Sequence, residues 1–158
     1  MISQLLVDDI RKTYRLDWNG IHGAAHWARV RNIGLKLAKV TGANLKVIEA
    51  FSVIHDSCRY SDGNDPDHGP RAAQYAYSIN DVLLKLDKIE LADLMDACIY
   101  HTRGMTSGYN INVLTCWDSD RLDLGRVGIL PKAEYLCTEI AKTEDVIKWA
   151  YSNSITAV

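Results

Sequence analysis

The sequence predicts an all-α fold in one domain. Apolar residues recur at helical spacing in a series of separate stretches, no stretch alternates with period two, and turn-forming residues collect in short breaks between them. Ile2, Leu5, Leu6, Ile10 and Tyr14 fall near one face, so residues 2–15 read as an amphipathic helix that Trp18-Asn19-Gly20 ends. A second helix is predicted over 24–40, with Trp27, Val30, Ile33, Leu37 and Val40 on the buried side. Gly42 closes it, and Asn44 is the N-cap of a third helix running from Leu45 to about Cys58. Ser61-Asp62-Gly63-Asn64-Asp65-Pro66-Asp67 is a loop by composition. Further helices are predicted over 70–85, 89–102, about 111–124 and 143–152, the last with an acidic first turn at Thr143-Glu144-Asp145 that suits the helix dipole.

The chain has 158 residues, near the usual size of one domain, so a core can form without a metal or disulfide staple. Eighteen Lys and Arg stand against twenty Asp and Glu. That balance argues against binding to nucleic-acid polymers or membrane surfaces, which draws on a basic excess. No apolar run approaches the roughly 18 residues of a membrane span, and Asp8 and Asp9 interrupt the first apolar stretch, so no signal peptide is expected. Cys58, Cys98, Cys116 and Cys137 form no C-x-x-C pair, which excludes a zinc ribbon or a thioredoxin-like site. A reduced, cytoplasmic protein is the expectation.

The histidines carry the chemistry. His22, His26, His55, His68 and His101 all lie in the first two-thirds of the chain, four of them within or at the ends of predicted helices. His55-Asp56 closes the apolar run Val47–Ile54. Burying that pair is costly unless a cation compensates the carboxylate and a ligand bond satisfies the imidazole. Adjacent helical residues diverge by about 100°, so either one ion sits between them or two ions share the Asp. In isolation the pair also fits an exposed helix end.

Three strings go further: Gly20-Ile21-His22-Gly23-Ala24-Ala25-His26-Trp27-Ala28-Arg29-Val30, Asp65-Pro66-Asp67-His68-Gly69, and Asp118-Ser119-Asp120-Arg121-Leu122-Asp123-Leu124-Gly125-Arg126-Val127-Gly128. With His55-Asp56 between the first two, they resemble the HD-domain superfamily of metal-dependent phosphohydrolases, in particular a small stand-alone bacterial branch. The resemblance covers about residues 20–130 of a single domain spanning 1–158. It implies His26, His55, Asp56 and Asp120 as metal ligands. His68 and His101 match, in order, the two further histidines of binuclear members, with Asp56 bridging. On the residues alone, His68 remains a loop or substrate-contacting histidine and His101 a helix C-cap. The final ligand could also be Asp118, which lies roughly 200° around the helix from Asp120, whereas Asp123 shares the face of Asp120.

The resemblance further implies hydrolysis of a nucleotide or other small phosphate ester, with Asp56, Arg59 and His68 in the catalytic machinery. Arg59, Arg121 and His22 would contact the substrate; relatives carry a lysine or histidine where this chain has Arg59, which leaves the general acid open. Imidazole-rich ligation favours one or two ions of Mn, Fe, Co, Ni or Zn over Mg. The implied partner is a small anionic phosphorylated molecule, with a homodimer left open. Diiron oxygenases of the same superfamily, which cleave C–C or C–P bonds, share the ligand pattern, although thirteen residues from His55 to His68 is tight for that group. A non-catalytic metal-binding module is the third reading. Arg29, Arg71, Arg103 and Arg126 are further candidate phosphate contacts, and Trp27 and Trp117 read as core.

Overall fold

Seven α-helices, one π-helical turn and two short 3₁₀ turns, with no strand, make up the regular structure among the described residues, which in this computed structural model are 2–155. Helices α1 (Gln4–Thr13), α2 (Ala24–Thr41), α3 (Leu45–Ile54), α4 (His68–Ile79), α5 (Lys88–Tyr100), α6 (Ile111–Arg121) and α7 (Glu144–Ile155) follow one another in that order. Local chemistry sets many of their ends. The Ser3 hydroxyl accepts from the Leu6 amide at α1, and Asn44 accepts from the Lys46 amide at α3. Asp87 and Glu90 form a reciprocal capping box at α5, and Asn110 caps α6. Gly42 ends α2 with a φ of 74°, a left-handed conformation that costs a glycine little.

Helix α3 is the hub. It packs against α2, α4, α5 and α6, while α4 and α5 lie against each other. Val47, Phe51 and Ile54 are fully buried there, each contributing roughly 1.5–3 kcal/mol by leaving water. The main core joins α1 through α6 and includes Trp27, Leu94 and Trp117. A smaller apolar cluster, Ile33, Leu37, Leu122, Leu136, Ala141, Val146 and Ala150, fastens α7 and the 136–141 segment to α2. Trp27 and Trp117 are core residues, as expected from their place in the sequence.

Several boundaries differ from the sequence expectation, each for a local reason. Helix α3 stops at Ile54, so Asp56 and Cys58 lie in a turn in which the Ser57 amide donates to the Ile54 carbonyl and the Arg59 amide to the Asp56 carbonyl. The stretch predicted as one helix over 70–85 begins at His68 and divides at Asn80 into a wider π-helical turn over Asn80–Leu84. That turn ends at Lys85 with a φ of 57°, and the Asn80 side chain holds both the amide and the carbonyl of Leu86. Helix α6 ends at Arg121 and is followed by a 3₁₀ turn over Leu124–Val127, whereas α7 runs three residues longer than expected, to Ile155. Leu5 and Val40, assigned to buried faces by periodicity, are exposed, while Leu6 and Leu37 on the same helices are buried. All four cysteines are free thiols.

Gly69 marks the closest approach of α4 to α5. A Cβ there would stand 2.3 Å from the Cys98 carbonyl oxygen, so any side chain drives the two helices apart. Gly69→Ala is therefore expected to destabilise the fold by about 1–3 kcal/mol, the usual cost of overpacking, read as a lower midpoint in denaturant. A variant as stable as the parent would show that α4 can move off α5 freely.

Candidate metal centre

Five elements bring their ends to one point. His26 comes from the first turn of α2, His55 and Asp56 from the end of α3, His68 from the first turn of α4, His101 from the residue after α5, and Asp120 from the last turn of α6. The imidazoles of His26, His55, His68 and His101 and the Asp56 carboxylate are almost wholly buried. Asp120 alone of the six has an appreciably exposed side chain, at 17%.

Their contacts fall into two groups joined by one residue. In the first, His26 Nε2 and His55 Nε2 lie 3.1 Å apart and face Asp56 Oδ2 at 3.6 and 3.5 Å. Asp120 Oδ1 completes it, 3.4 Å from His26 and 3.7 Å from His55. In the second, His68 Nε2 and His101 Nε2 lie 2.9 Å apart and face Asp56 Oδ1 at 3.2 and 3.7 Å. The two oxygens of Asp56 therefore each face one group.

The protons explain what these groups can hold. His26 Nδ1 donates to Asp123 Oδ2 at 2.7 Å and His55 Nδ1 to the Phe51 carbonyl at 3.0 Å. His68 Nδ1 donates to the Asp65 carbonyl at 2.5 Å and His101 Nδ1 to the Cys98 carbonyl at 2.7 Å. A carbonyl or carboxylate has no proton to give, so in each neutral ring the proton is on Nδ1 and Nε2 offers a lone pair. Four lone pairs and two carboxylates then converge with little to donate among them. Such a set calls for positive charge. Donors about 2.0–2.1 Å from a shared ion would lie about 2.9–3.4 Å from one another, close to the separations above. His26–His55–Asp56 and Asp56–His68–His101 are thus groups that could each hold a metal ion.

Charge balance follows the same lines. Burial favours a neutral Asp56, but the surrounding imidazoles of His55, His101, His26 and His68 outweigh it and hold the carboxyl well below its usual range. Burial likewise opposes ionisation of Asp120, and His26, His55 and Arg126 overcome it. Burial drives His55 down to about 4. His26, also disfavoured by burial when charged, is raised to about 9 by Asp120, Asp123 and Asp56. A proton on His26 is the smallest cation that relieves the first group.

Asp123, placed by helical spacing on the face of Asp120, meets His26 from its other side. Fully buried, it accepts from His26 Nδ1, from Arg29 Nε at 2.7 Å and from the Ser154 hydroxyl at 2.6 Å. Ser154, on α7, gave no sequence signal, since nothing in a polar residue near the end of a helix announces a partner 31 positions away. Asp118 points elsewhere. Its carboxylate accepts from the Cys137 and Thr138 amides at 2.6 and 2.8 Å and from the Thr138 hydroxyl at 2.7 Å, anchoring the 136–141 segment.

Arg59 Nη1 lies 3.4 Å from Asp56 Oδ1 and 3.1 Å from His68 Nε2, while Nε and Nη2 are fixed by the carbonyls of Ser61 and Gly63. His22 is nearly buried and donates through Nδ1 to Asp62 at 2.7 Å, with its ring 6.5 Å from that of His26. Arg121 stands beside the centre rather than in it: Nη1 donates to the Tyr135 carbonyl at 3.0 Å. Of the other arginines, Arg29 and Arg126 brace Asp123, Arg71 makes a two-pronged pair with Asp65, and Arg103 lies against the Tyr100 ring.

Asp120→Ala is expected to weaken metal binding about tenfold or more, whereas Asp118→Ala loses stability but, once folded, keeps its metal. Metal titration of both folded variants reads the difference, and the opposite pattern would move the ligand role to Asp118. A second outcome follows from His26. Metal binding needs its neutral form, so a proton is expelled on uptake and apparent affinity rises with pH until about 9. Titrations at three pH values below 9 with equal affinities would contradict this.

No described helix is long and apolar enough to cross a membrane. Compared with known protein families, with curated proteins and with solved structures, the chain finds no match in any of the three.

Proposed function

We propose that this chain is a metal-dependent phosphohydrolase of the HD type, acting on a nucleotide or another small phosphate ester. The observation that carries the reading is Asp56, whose two oxygens each face a separate pair of imidazole lone pairs. A buried carboxylate shared in this way suits two divalent ions held side by side. Imidazole-rich donor sets favour Mn, Fe, Co, Ni or Zn.

His26, His55, Asp56 and Asp120 would hold one ion, and Asp56, His68 and His101 the other. When bound, the ions would supply Lewis acidity toward phosphoryl oxygens and would lower the pKa of a bound water. The remaining work belongs to the chain. Three or four protein donors per ion leave coordination positions for water and substrate. Asp120, on the more open side, and Arg59 Nη1, beside Asp56, define where an anion approaches. A guanidinium already fixed at two of its nitrogens loses little further freedom on donating to a phosphoryl oxygen. Asp123 keeps the Nδ1 proton of His26 in place and so keeps Nε2 free to ligate.

Protein stripped with EDTA should release no phosphate from a panel of monoesters and diesters, and reloading with Mn, Co, Ni or Fe should restore turnover. Saturation should give two ions per chain. Full turnover in confirmed metal-free protein would sink the reading. Oxygen consumption without ester hydrolysis would instead assign an oxygenase that cleaves C–C or C–P bonds, and two bound ions with neither activity would assign a metal-binding module.

A further inference from the structure

The two ligand groups differ in charge. In the first, two carboxylates, Asp56 through Oδ2 and Asp120, face His26 and His55. In the second, His68 and His101 have only Asp56 Oδ1. A guanidinium already stands at that oxygen. Arg59 Nη1 lies 3.4 Å from Asp56 Oδ1 and 3.1 Å from His68 Nε2. It is also 3.4 Å from His68 Nδ1, so it rests beside the ring near both nitrogens and leaves the Nε2 lone pair open. An ion about 2.1 Å from His68 Nε2 would then lie at most about 5 Å from Nη1, wherever it sat around that nitrogen. Arg59 is also held in place. It is 8% exposed, its Nε donates to the Ser61 carbonyl at 3.1 Å and its Nη2 to the Gly63 carbonyl at 2.9 Å, and withdrawing it breaks both bonds. The arginines near the first group, Arg29 and Arg126, pair instead with Asp123, on the far side of the His26 ring.

We propose that Arg59 makes the second group a conditional site, which takes an ion only when an anion arrives with it. The first ion goes to His26, His55, Asp56 and Asp120. A second ion between Asp56, His68 and His101 meets one carboxylate, already shared, and a fixed positive charge within about 5 Å, in a buried setting where water screens little. A phosphoryl or phosphonate dianion supplies the missing negative charge, with one oxygen accepting from Arg59 Nη1 and another facing the second ion. Linkage makes the effect reciprocal, so the anion binds more tightly to protein with both ions by the same factor. The proposal rests on the two-ion reading above and adds the order of filling and its control by the substrate's own charge.

The test measures Mn(II) binding by equilibrium dialysis, with and without methylphosphonate, so no turnover is needed. The parent should hold its first ion about tenfold or more tighter than its second, and methylphosphonate should tighten the second about tenfold or more. Arg59→Gln removes the charge and should tighten the second ion about tenfold or more with no anion present, while the first changes by less than about threefold. Arg59→Lys keeps the charge and should leave the second ion weak. Equal affinities for the two ions in the parent, or a second ion that methylphosphonate does not tighten, overturns the proposal even if neither variant folds. So does a second ion bound as weakly by Arg59→Gln as by the parent, or one bound as tightly by Arg59→Lys as by Arg59→Gln. One ion in the parent that becomes two in Arg59→Gln supports it. One ion at saturation in all three proteins defeats the two-ion reading and the proposal together, whereas the expected pattern with no ester ever hydrolysed defeats the hydrolase reading alone.

Discussion

Each imidazole of the centre turns Nε2 inward because its Nδ1 is committed elsewhere, and the fold is arranged around those four commitments. Three of the acceptors are backbone carbonyls, of Phe51, Asp65 and Cys98, within four residues of the histidine they hold. Such local acceptors come with the helix end and need no second element. The fourth is Asp123, 97 positions from His26, and it is itself held by Arg29 and by Ser154 of α7. The last helix is thereby connected to His26 through Asp123. Removing any of these acceptors frees a ring to turn or to take the other tautomer.

Stability and chemistry are separated in space. The helices bury their apolar faces on α3, and the donor set occupies the helix ends. Helix ends are where backbone groups are already short of partners and where side chains from several elements can converge without crossing a packed face. Gly69 shows how tightly the two tasks are joined. The absence of a side chain there lets α4 approach the carbonyl of Cys98, the same carbonyl that fixes His101, and so brings His68 and His101 together.

The surroundings of the centre are asymmetric. On one side Arg59 brings a guanidinium to Asp56 and His68, with Arg71 nearby clamping Asp65 and lying over Tyr60. On the other, beyond His101, a cavity presents an apolar wall of leucine, isoleucine and proline. Asp118, which could have competed for a metal, anchors the 136–141 segment, next to the stretch that closes the apolar side.

Periodicity made the helical class and the order of the helices legible from sequence, and Asn44, whose side chain acts on an amide two residues away, marked the start of α3. His26, His55, Asp56, His68, His101 and Asp120 became candidates through the resemblance of the strings around them to the HD-domain superfamily, not through local spacing alone. What remained hidden depends on distant partners. Leu5 and Val40 lie on apolar faces by spacing yet face solvent, since a face is buried only if a neighbour covers it. The choice between Asp118 and Asp120, the pairing of His22 with Asp62, the link from Asp123 to Ser154 and the approach of Arg59 to His68 all join segments from separate turns and helices. A spacing rule reaches one helical turn; which oxygen of Asp56 meets which histidine is decided only when five helix ends pack against one another.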